Sequence, residues 1–146
     1  MDGVPVFNLV RETLPAAEIL GFRGVINATT NFILTAMEAG RSYQDALEEM
    51  QRAGIAEADP SFDIDGWDAA AKAAALINVL MHGSVTPHGI DRTGIAGITA
   101  NQLLAAVDRG KRLRLVDREQ CEHCGAGFAP PEKTGTEVFE PLGVSG

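Results

Sequence analysis

The sequence predicts an α+β domain in which a mixed β-sheet has helices packed on one face. Two observations support this class: apolar residues recur at helical spacing in several segments that end at glycine or proline, and residues 18–27 and 111–117 alternate in the manner of strands. The chain has 146 residues, of which 45% are apolar and 22% charged. This length and composition suit one domain with its own hydrophobic core.

Acidic composition narrows the expected partners. The formal net charge is -8 and the isoelectric point is about 4.8, whereas nucleic acids and anionic membranes attract clustered lysine and arginine. We therefore expect small molecules and proteins as partners, with no nucleic acid and no membrane. An apolar run of about 18 residues is missing, as is a basic segment followed by an apolar one at the N-terminus, so a cytoplasmic protein is expected.

The first helix is predicted to start around Pro5, where a missing N–H costs nothing, and to end near Pro15. The strand at 18–27 leads into a polar turn, residues 27–31, and a helix over 32–37. Small and amide residues favour helix N-caps, and a helix N-terminus attracts anions. The turn is therefore either a plain cap, which spacing alone favours, or a cradle for a carboxylate or phosphate.

An antiparallel helix pair comes next, because the helix from the polar turn stops at Gly40, Ser42 caps another, and Gly54 closes it. Residues 56–66 are predicted to form an ordered loop, and residues 67–81 an alanine-rich helix that is mostly buried.

The remaining elements are predicted from turn residues and periodicity. A loop over 83–97 contains a short extended piece around 88–91, Thr99 caps a helix through Arg109, and strands follow at 111–117 and 136–139.

The composition changes after Arg118, so we divide the chain into a domain at 1–118 and a divergent, loop-rich C-terminal segment at 119–146. Cys121, His123 and Cys124 lie in that segment. A structural zinc site needs about four ligands, and no second pair is present. Two free thiols are favoured over a metal or redox role.

An acidic segment at 56–72 is the strongest candidate site. Its charged residues are Glu57, Asp59, Asp63, Asp65, Asp68 and Lys72. Three hypotheses stay open from the residues alone: a solvated loop, which is the commonest fate of a charge run; a calcium site, although the spacing departs from an EF-hand loop; and a pocket that binds a cationic substrate and performs acid–base chemistry.

Asp68 and Lys72 support the third hypothesis. They stand at positions i and i+4 of a largely apolar helix, so they must face each other or a polar pocket. The chain contains no Gly-x-Gly-x-x-Gly fingerprint and no P-loop, and it therefore shows no cofactor-binding unit of its own.

The acidic motif and the segments upstream of it form a series in a fixed order: Gly3-Val4-Pro5, Phe22-Arg23-Gly24-Val25-Ile26-Asn27, Thr29-Thr30-Asn31-Phe32-Ile33-Leu34, Met37-Glu38, Glu57-Ala58-Asp59-Pro60, Asp63, Gly66, Asp68 and Lys72. This series resembles homoserine dehydrogenase, and the resemblance covers about residues 3 to 116. The resemblance implies the α+β fold of that enzyme's catalytic domain. It also implies the NAD- or NADP-dependent interconversion of L-homoserine and L-aspartate 4-semialdehyde, on the route to threonine and methionine.

Site roles follow from the resemblance. It implies that Glu57 and Asp63 bind the amino group of the substrate and that the turn at Ala28 and Thr29 binds its carboxylate. It further implies that Lys72, supported by Asp68, takes part in proton transfer at the substrate hydroxyl. Val4 would contribute a carbonyl oxygen to a monovalent-cation site.

The chain also departs from the family pattern. Ala28 stands where a glycine is usual, and Ile55 stands where many members have a tyrosine. The family's nucleotide-binding domain is not in the sequence, so we expect most of the cofactor site to lie outside it and the chain alone to be inactive. The resemblance implies a homodimer. It also implies a nucleotide-binding domain as a partner, supplied in trans or on a longer chain, without which we expect no activity. The alternative is a non-enzymatic module that binds an amino acid or only dimerises.

Overall fold

Six α-helices and a three-stranded sheet make up residues 5–120 and 135–139, the part of the chain that this computed structural model describes. The helices are α1 (Val6–Thr13), α2 (Ala28–Glu38), α3 (Tyr43–Arg52), α4 (Ser61–Ile64), α5 (Trp67–Leu80) and α6 (Ala100–Val107). The strands are β1 (Gly21–Gly24), β2 (Arg112–Gln120) and β3 (Gly135–Phe139). The α+β class is therefore confirmed.

The sheet has the order β1-β2-β3, and both pairs of strands are antiparallel. Gly21 pairs with Gln120 and Gly24 with Asp117, so the chain returns to the sheet in the direction opposite to β1. The prediction of a mixed sheet is wrong for the described strands. Alternating residues reveal that a strand is present but carry no information on its direction.

Three local predictions also need correction. The alternation over 18–27 yields only the four-residue β1, because only Gly21–Gly24 pairs with β2. The expected loop at 56–66 contains the short helix α4, and the piece around 88–91 begins with a 3₁₀ turn at Pro87–Gly89. Strand β2 runs through position 118 to Gln120, across the expected domain boundary, which stays a prediction.

Helix ends follow the sequence closely. Ser42 accepts a hydrogen bond from the Asp45 N–H at the start of α3, and Thr99 forms a capping box with Gln102 at the start of α6. Gly54 and Gly110, which follow α3 and α6, have φ of +69° and +70°, in the left-handed region that glycine adopts without strain.

Two hydrophobic clusters hold these elements together. In the larger one, Ile33 and Leu34 of α2 pack with Leu103 of α6 and Leu115 of β2, and all four are fully buried. In the smaller one, the alanine face of α5 packs against Ile90. Helices α2, α5 and α6 all contact β2, so the apolar faces of these helices are anchored on the central strand. Among the helices of the described ranges, none has the length and apolar character needed to cross a bilayer.

Ionisation of Tyr43 is expected to lower the stability of the fold at alkaline pH. Burial first, and then the nearby Asp65 carboxylate, raise the pKa of the Tyr43 phenol. The folded protein therefore holds this proton more tightly than the unfolded chain, whose tyrosine pKa is about 10. Stability from this group is complete below about pH 10 and is lost as the pH rises through the folded pKa.

The tyrosine titration can be followed directly, because Tyr43 is the single tyrosine of the chain. We expect phenolate absorbance to rise at a higher pH in native protein than in urea-unfolded protein. We also expect Tyr43→Phe to reduce the loss of unfolding free energy above about pH 10. Equal titration midpoints in the two states would contradict the prediction.

Candidate functional site

Asp68 and Lys72 meet on the first turns of α5. Gly66, with φ of +81°, precedes this helix and lets the chain turn sharply from α4 into it. The Lys72 Nζ lies 2.5 Å from the Asp68 Oδ2, and each side chain is about one-quarter exposed, at 25% and 24%. Nζ also donates to the Ile26 carbonyl at 3.2 Å. These bonds use two of the three ammonium donors, which leaves one for a ligand.

Asn27 links this ion pair to Asp63. The Asn27 Nδ2 donates to the Asp63 Oδ1 at 2.7 Å and to the Asp68 Oδ2 at 2.8 Å, and the residue is only 2% exposed. The structure therefore brings Asp63, Asp68 and Lys72 into one hydrogen-bonded cluster around Asn27. Sequence reasoning missed this role, because the one signal that Asn27 offers is its place at the start of a polar turn, where it reads as a helix cap.

The N-terminus of α2 lies beside the cluster. The Asn27 Oδ1 caps the helix by accepting from the Thr30 N–H at 2.8 Å and from the Thr30 hydroxyl at 3.0 Å. Ala28 and Thr29 are the first two residues of α2, where backbone N–H groups have no intrahelical partner and the helix dipole favours an anion. A cap and an anion cradle can therefore coexist in this turn.

Ala28 fits its position without needing the flexibility of glycine. Within the described ranges, the one non-glycine residue with a positive φ is His82, so the backbone at Ala28 is not left-handed. Its side chain is exposed. Ile55, the other departure, is 58% exposed and lines a cavity of ≈ 490 Å³ between α2 and α3, together with Ala28 and Phe32.

Glu57 and Asp59 do not contact Asn27. Glu57 has an exposed side chain, and its carbonyl accepts from the Gln51 Nε2 at 3.0 Å. Asp59 accepts from the Ser61 N–H at 3.0 Å, and this bond, with a further one from the Ser61 side chain, lowers the pKa of the Asp59 carboxyl. The contacts of Asn27 run instead to Asp63 and Asp68.

A metal site is not assembled from these acids. In residues 5–120 and 135–139, no group of three or more His, Cys, Asp or Glu side chains stands close enough to hold a metal ion, so the geometry gives no support to the calcium hypothesis. Val4, Cys121, His123 and Cys124 lie outside the described residues.

A glycine contact supports the turn that carries the acids. The Ile95 N–H donates to the Ile64 carbonyl at 2.8 Å, which brings Gly94 against the backbone of Asp65 and Gly66. A Cβ at Gly94 would lie 2.1 Å from the Ile64 carbonyl oxygen and 2.7 Å from the Asp65 Cα. Only a residue without a side chain fits here.

We expect Gly94→Ala to lower the free energy of unfolding by about 1–3 kcal/mol, since backbone must move to admit the methyl group. Gly97→Ala is the matched control, because a Cβ at Gly97 meets no atom within 4 Å. Urea unfolding of both variants measures the difference. Equal unfolding midpoints for the two variants would show that the backbone at Asp65 moves to admit the methyl group without loss of stability.

The chain matches a protein-family model described as homoserine dehydrogenase over residues 5–133. A homoserine dehydrogenase from Methanocaldococcus jannaschii is 39% identical over 144 residues, which cover 98% of this chain and 41% of the relative. An NAD(+)-dependent homoserine dehydrogenase from Pseudomonas canavaninivorans is 35% identical over 116 residues, which cover 80% of this chain and 33% of the relative.

A solved structure has the same fold. The crystal structure of a homoserine dehydrogenase from Thiobacillus denitrificans matches with a TM-score of 0.74 at 37% identity, over 81% of this chain and 28% of that chain. The chain thus spans less than half the length of the relatives that it matches.

Proposed function

Because the chain belongs to the homoserine dehydrogenase family, we propose that it supplies the substrate-binding and proton-transfer groups for the interconversion of L-homoserine and L-aspartate 4-semialdehyde. The observation that carries this proposal is the cluster in which Asn27 joins Asp63 to the Asp68–Lys72 ion pair. It combines an anionic group for an ammonium ion with a lysine that has a donor to spare.

The α-carbon of L-homoserine carries two groups of opposite charge, an ammonium and a carboxylate, and the site offers a partner for each. Asp63, with Glu57 on the adjacent loop, binds the ammonium group by charge-assisted hydrogen bonds. The carboxylate lies at the N-terminus of α2, where the N–H groups of Ala28 and Thr29 receive it. This division orients the side chain of L-homoserine.

Lys72 handles the hydroxyl proton. Oxidation of the alcohol removes a hydride from carbon and a proton from oxygen, and the nicotinamide of NAD or NADP, when bound, supplies the hydride acceptor. The neutral form of the Lys72 amine accepts the hydroxyl proton in this direction, and the ammonium so formed returns it to the aldehyde oxygen in the other. Asp68 orients the lysine and compensates its charge.

The dinucleotide is held largely outside the described residues in this proposal, since the sequence has no glycine-rich phosphate-binding fingerprint. Residues 1–118 form the substrate domain, which works with a nucleotide-binding domain. We further place the protein in the cytoplasm as a homodimer of the threonine and methionine route, with Val4 at a monovalent-cation site.

Calorimetry with the chain itself tests substrate recognition. We expect L-homoserine to bind with one site per chain. An analogue that lacks the amino group, 4-hydroxybutyrate, and one that lacks the carboxylate, 3-aminopropanol, should each bind at least about tenfold more weakly, because each leaves a charged partner unmatched. Equal affinity for all three compounds, or no heat with L-homoserine, would overturn the proposal in favour of a structural module.

Catalysis is tested in a longer protein. The chain is joined to the part of the Methanocaldococcus jannaschii relative that it does not span, and formation of reduced cofactor from L-homoserine is followed by absorbance with NAD and with NADP. Turnover with either cofactor supports the assignment, and the ratio of the two rates gives the preference. A folded fusion that binds L-homoserine but never reduces either cofactor would contradict the enzymatic role.

A further inference from the structure

Asn27 has every hydrogen-bonding group of its amide engaged. Its Oδ1 accepts from the Thr30 N–H and hydroxyl, while its Nδ2 donates to Asp63 and Asp68. The orientation of the amide follows from its partners, because ionised carboxylates only accept and a backbone N–H only donates. Because Asn27 is only 2% exposed, water does not reach its amide to replace these bonds.

Capping alone does not explain this residue. Serine and aspartate cap a helix about as well as asparagine does, but neither of them offers an N–H₂ group. The two donated bonds span long stretches of chain, since Asp63 is 36 residues and Asp68 41 residues from Asn27. They join α4 to α5 at the point where two carboxylates would otherwise repel each other.

We propose that Asn27 is the positioning residue of the site, holding the carboxylate that binds the substrate ammonium and the carboxylate that supports Lys72 in one fixed arrangement. This inference rests on the proposed function for the roles of Asp63 and Asp68. Asn27 acts through them and does not touch the substrate hydroxyl. Its loss therefore disturbs both binding and proton transfer, because each depends on one of its two partners.

Two substitutions separate positioning from capping. Asn27→Ser keeps a good N-cap and removes the bridge, and Asn27→Asp keeps the shape and the cap but places a third carboxylate between the other two. Ser42→Ala is the matched control, since Ser42 caps α3 in the same way through the Asp45 N–H and takes no part in the cluster.

The first measurement needs no ligand. The side-chain carboxyl ¹³C resonances of Asp63 and Asp68 are recorded by NMR in the chain and in each variant. We expect both resonances to move in Asn27→Ser and in Asn27→Asp and to stay in place in Ser42→Ala. Unmoved resonances in a folded Asn27→Ser variant would overturn the bridge itself, whatever the chain binds.

The second measurement is the calorimetric Kd for L-homoserine. Loss of a hydrogen bond to a charged group weakens binding about tenfold or more, so we expect Kd to rise by at least about that factor in both Asn27 variants and to stay unchanged in Ser42→Ala. In the longer fusion protein, kcat should fall as well as KM rise. A Kd equal to that of the unsubstituted chain in Asn27→Ser would overturn the positioning role.

Failure of the two proposals can be told apart. If the unsubstituted chain binds no L-homoserine, the proposed function fails, and the NMR measurement still decides whether Asn27 bridges the two acids. If the chain binds L-homoserine and Asn27→Ser binds it equally well, only the positioning role fails.

Discussion

Replacing Lys72 with methionine is expected to lower kcat for L-homoserine oxidation by about 10²- to 10⁴-fold, the usual contribution of a positioned proton-transfer group. Affinity for L-homoserine should change by at most about tenfold, because the charged groups of the substrate bind elsewhere and Lys72 contributes one hydrogen bond to a neutral hydroxyl. Absorbance of the reduced cofactor in the longer fusion protein gives kcat, and calorimetry gives Kd.

Lys72→Arg distinguishes proton transfer from charge. An arginine keeps the positive charge beside Asp68 but does not give up its proton, so this variant should be nearly as slow as Lys72→Met. Lys111→Met removes the lysine that immediately precedes β2 and serves as the control, with unchanged kcat expected. A Lys72→Arg variant of normal kcat would mean that Lys72 acts only through its charge.

Replacing Glu38 with alanine is expected to lower the free energy of unfolding by about 3–5 kcal/mol, the cost of leaving a buried charge without its partner. The Glu38 side chain is 5% exposed and that of Arg114 is 10% exposed, and they form two hydrogen bonds of 2.6 Å and 3.3 Å. The pair joins the end of α2 to β2. Without Glu38, the positive charge of Arg114 stays buried and has no acidic partner. Urea unfolding, monitored by circular dichroism, measures the change.

Arg112 provides the matched control. It binds the same Glu38 carboxylate at 2.5 Å, but its side chain is 50% exposed. Water can solvate it when the pair is broken, and Arg112→Ala should therefore cost less than about 1 kcal/mol. Arg114→Ala should cost more than Arg112→Ala, because Arg114 is buried and makes two bonds to Glu38, but less than Glu38→Ala, because Glu38 keeps Arg112. Similar losses for the two arginine variants would show that burial does not control the strength of this network.

Features set within a few residues could be predicted from the sequence. The caps at Ser42 and Thr99 and the pairing of Asp68 with Lys72 depend on neighbours three or four positions away, so the local spacing was enough. The acidic motif also indicated the family, because its residue types stand at the intervals typical of that family. The roles of Glu57 and Asp63 toward substrate stay predictions.

Long-range geometry was decided only by the tertiary structure. The sequence placed Asn27 in a capping turn, and folding of α4 and α5 against the start of α2 made it the link between Asp63 and Asp68. The antiparallel direction of β2 was likewise not encoded in its alternation. The sequence by itself determined which charged residues form the site, because their spacing along the chain identified them. How those charges are held together depends on which distant segments pack against one another, and only the folded chain brings those segments together.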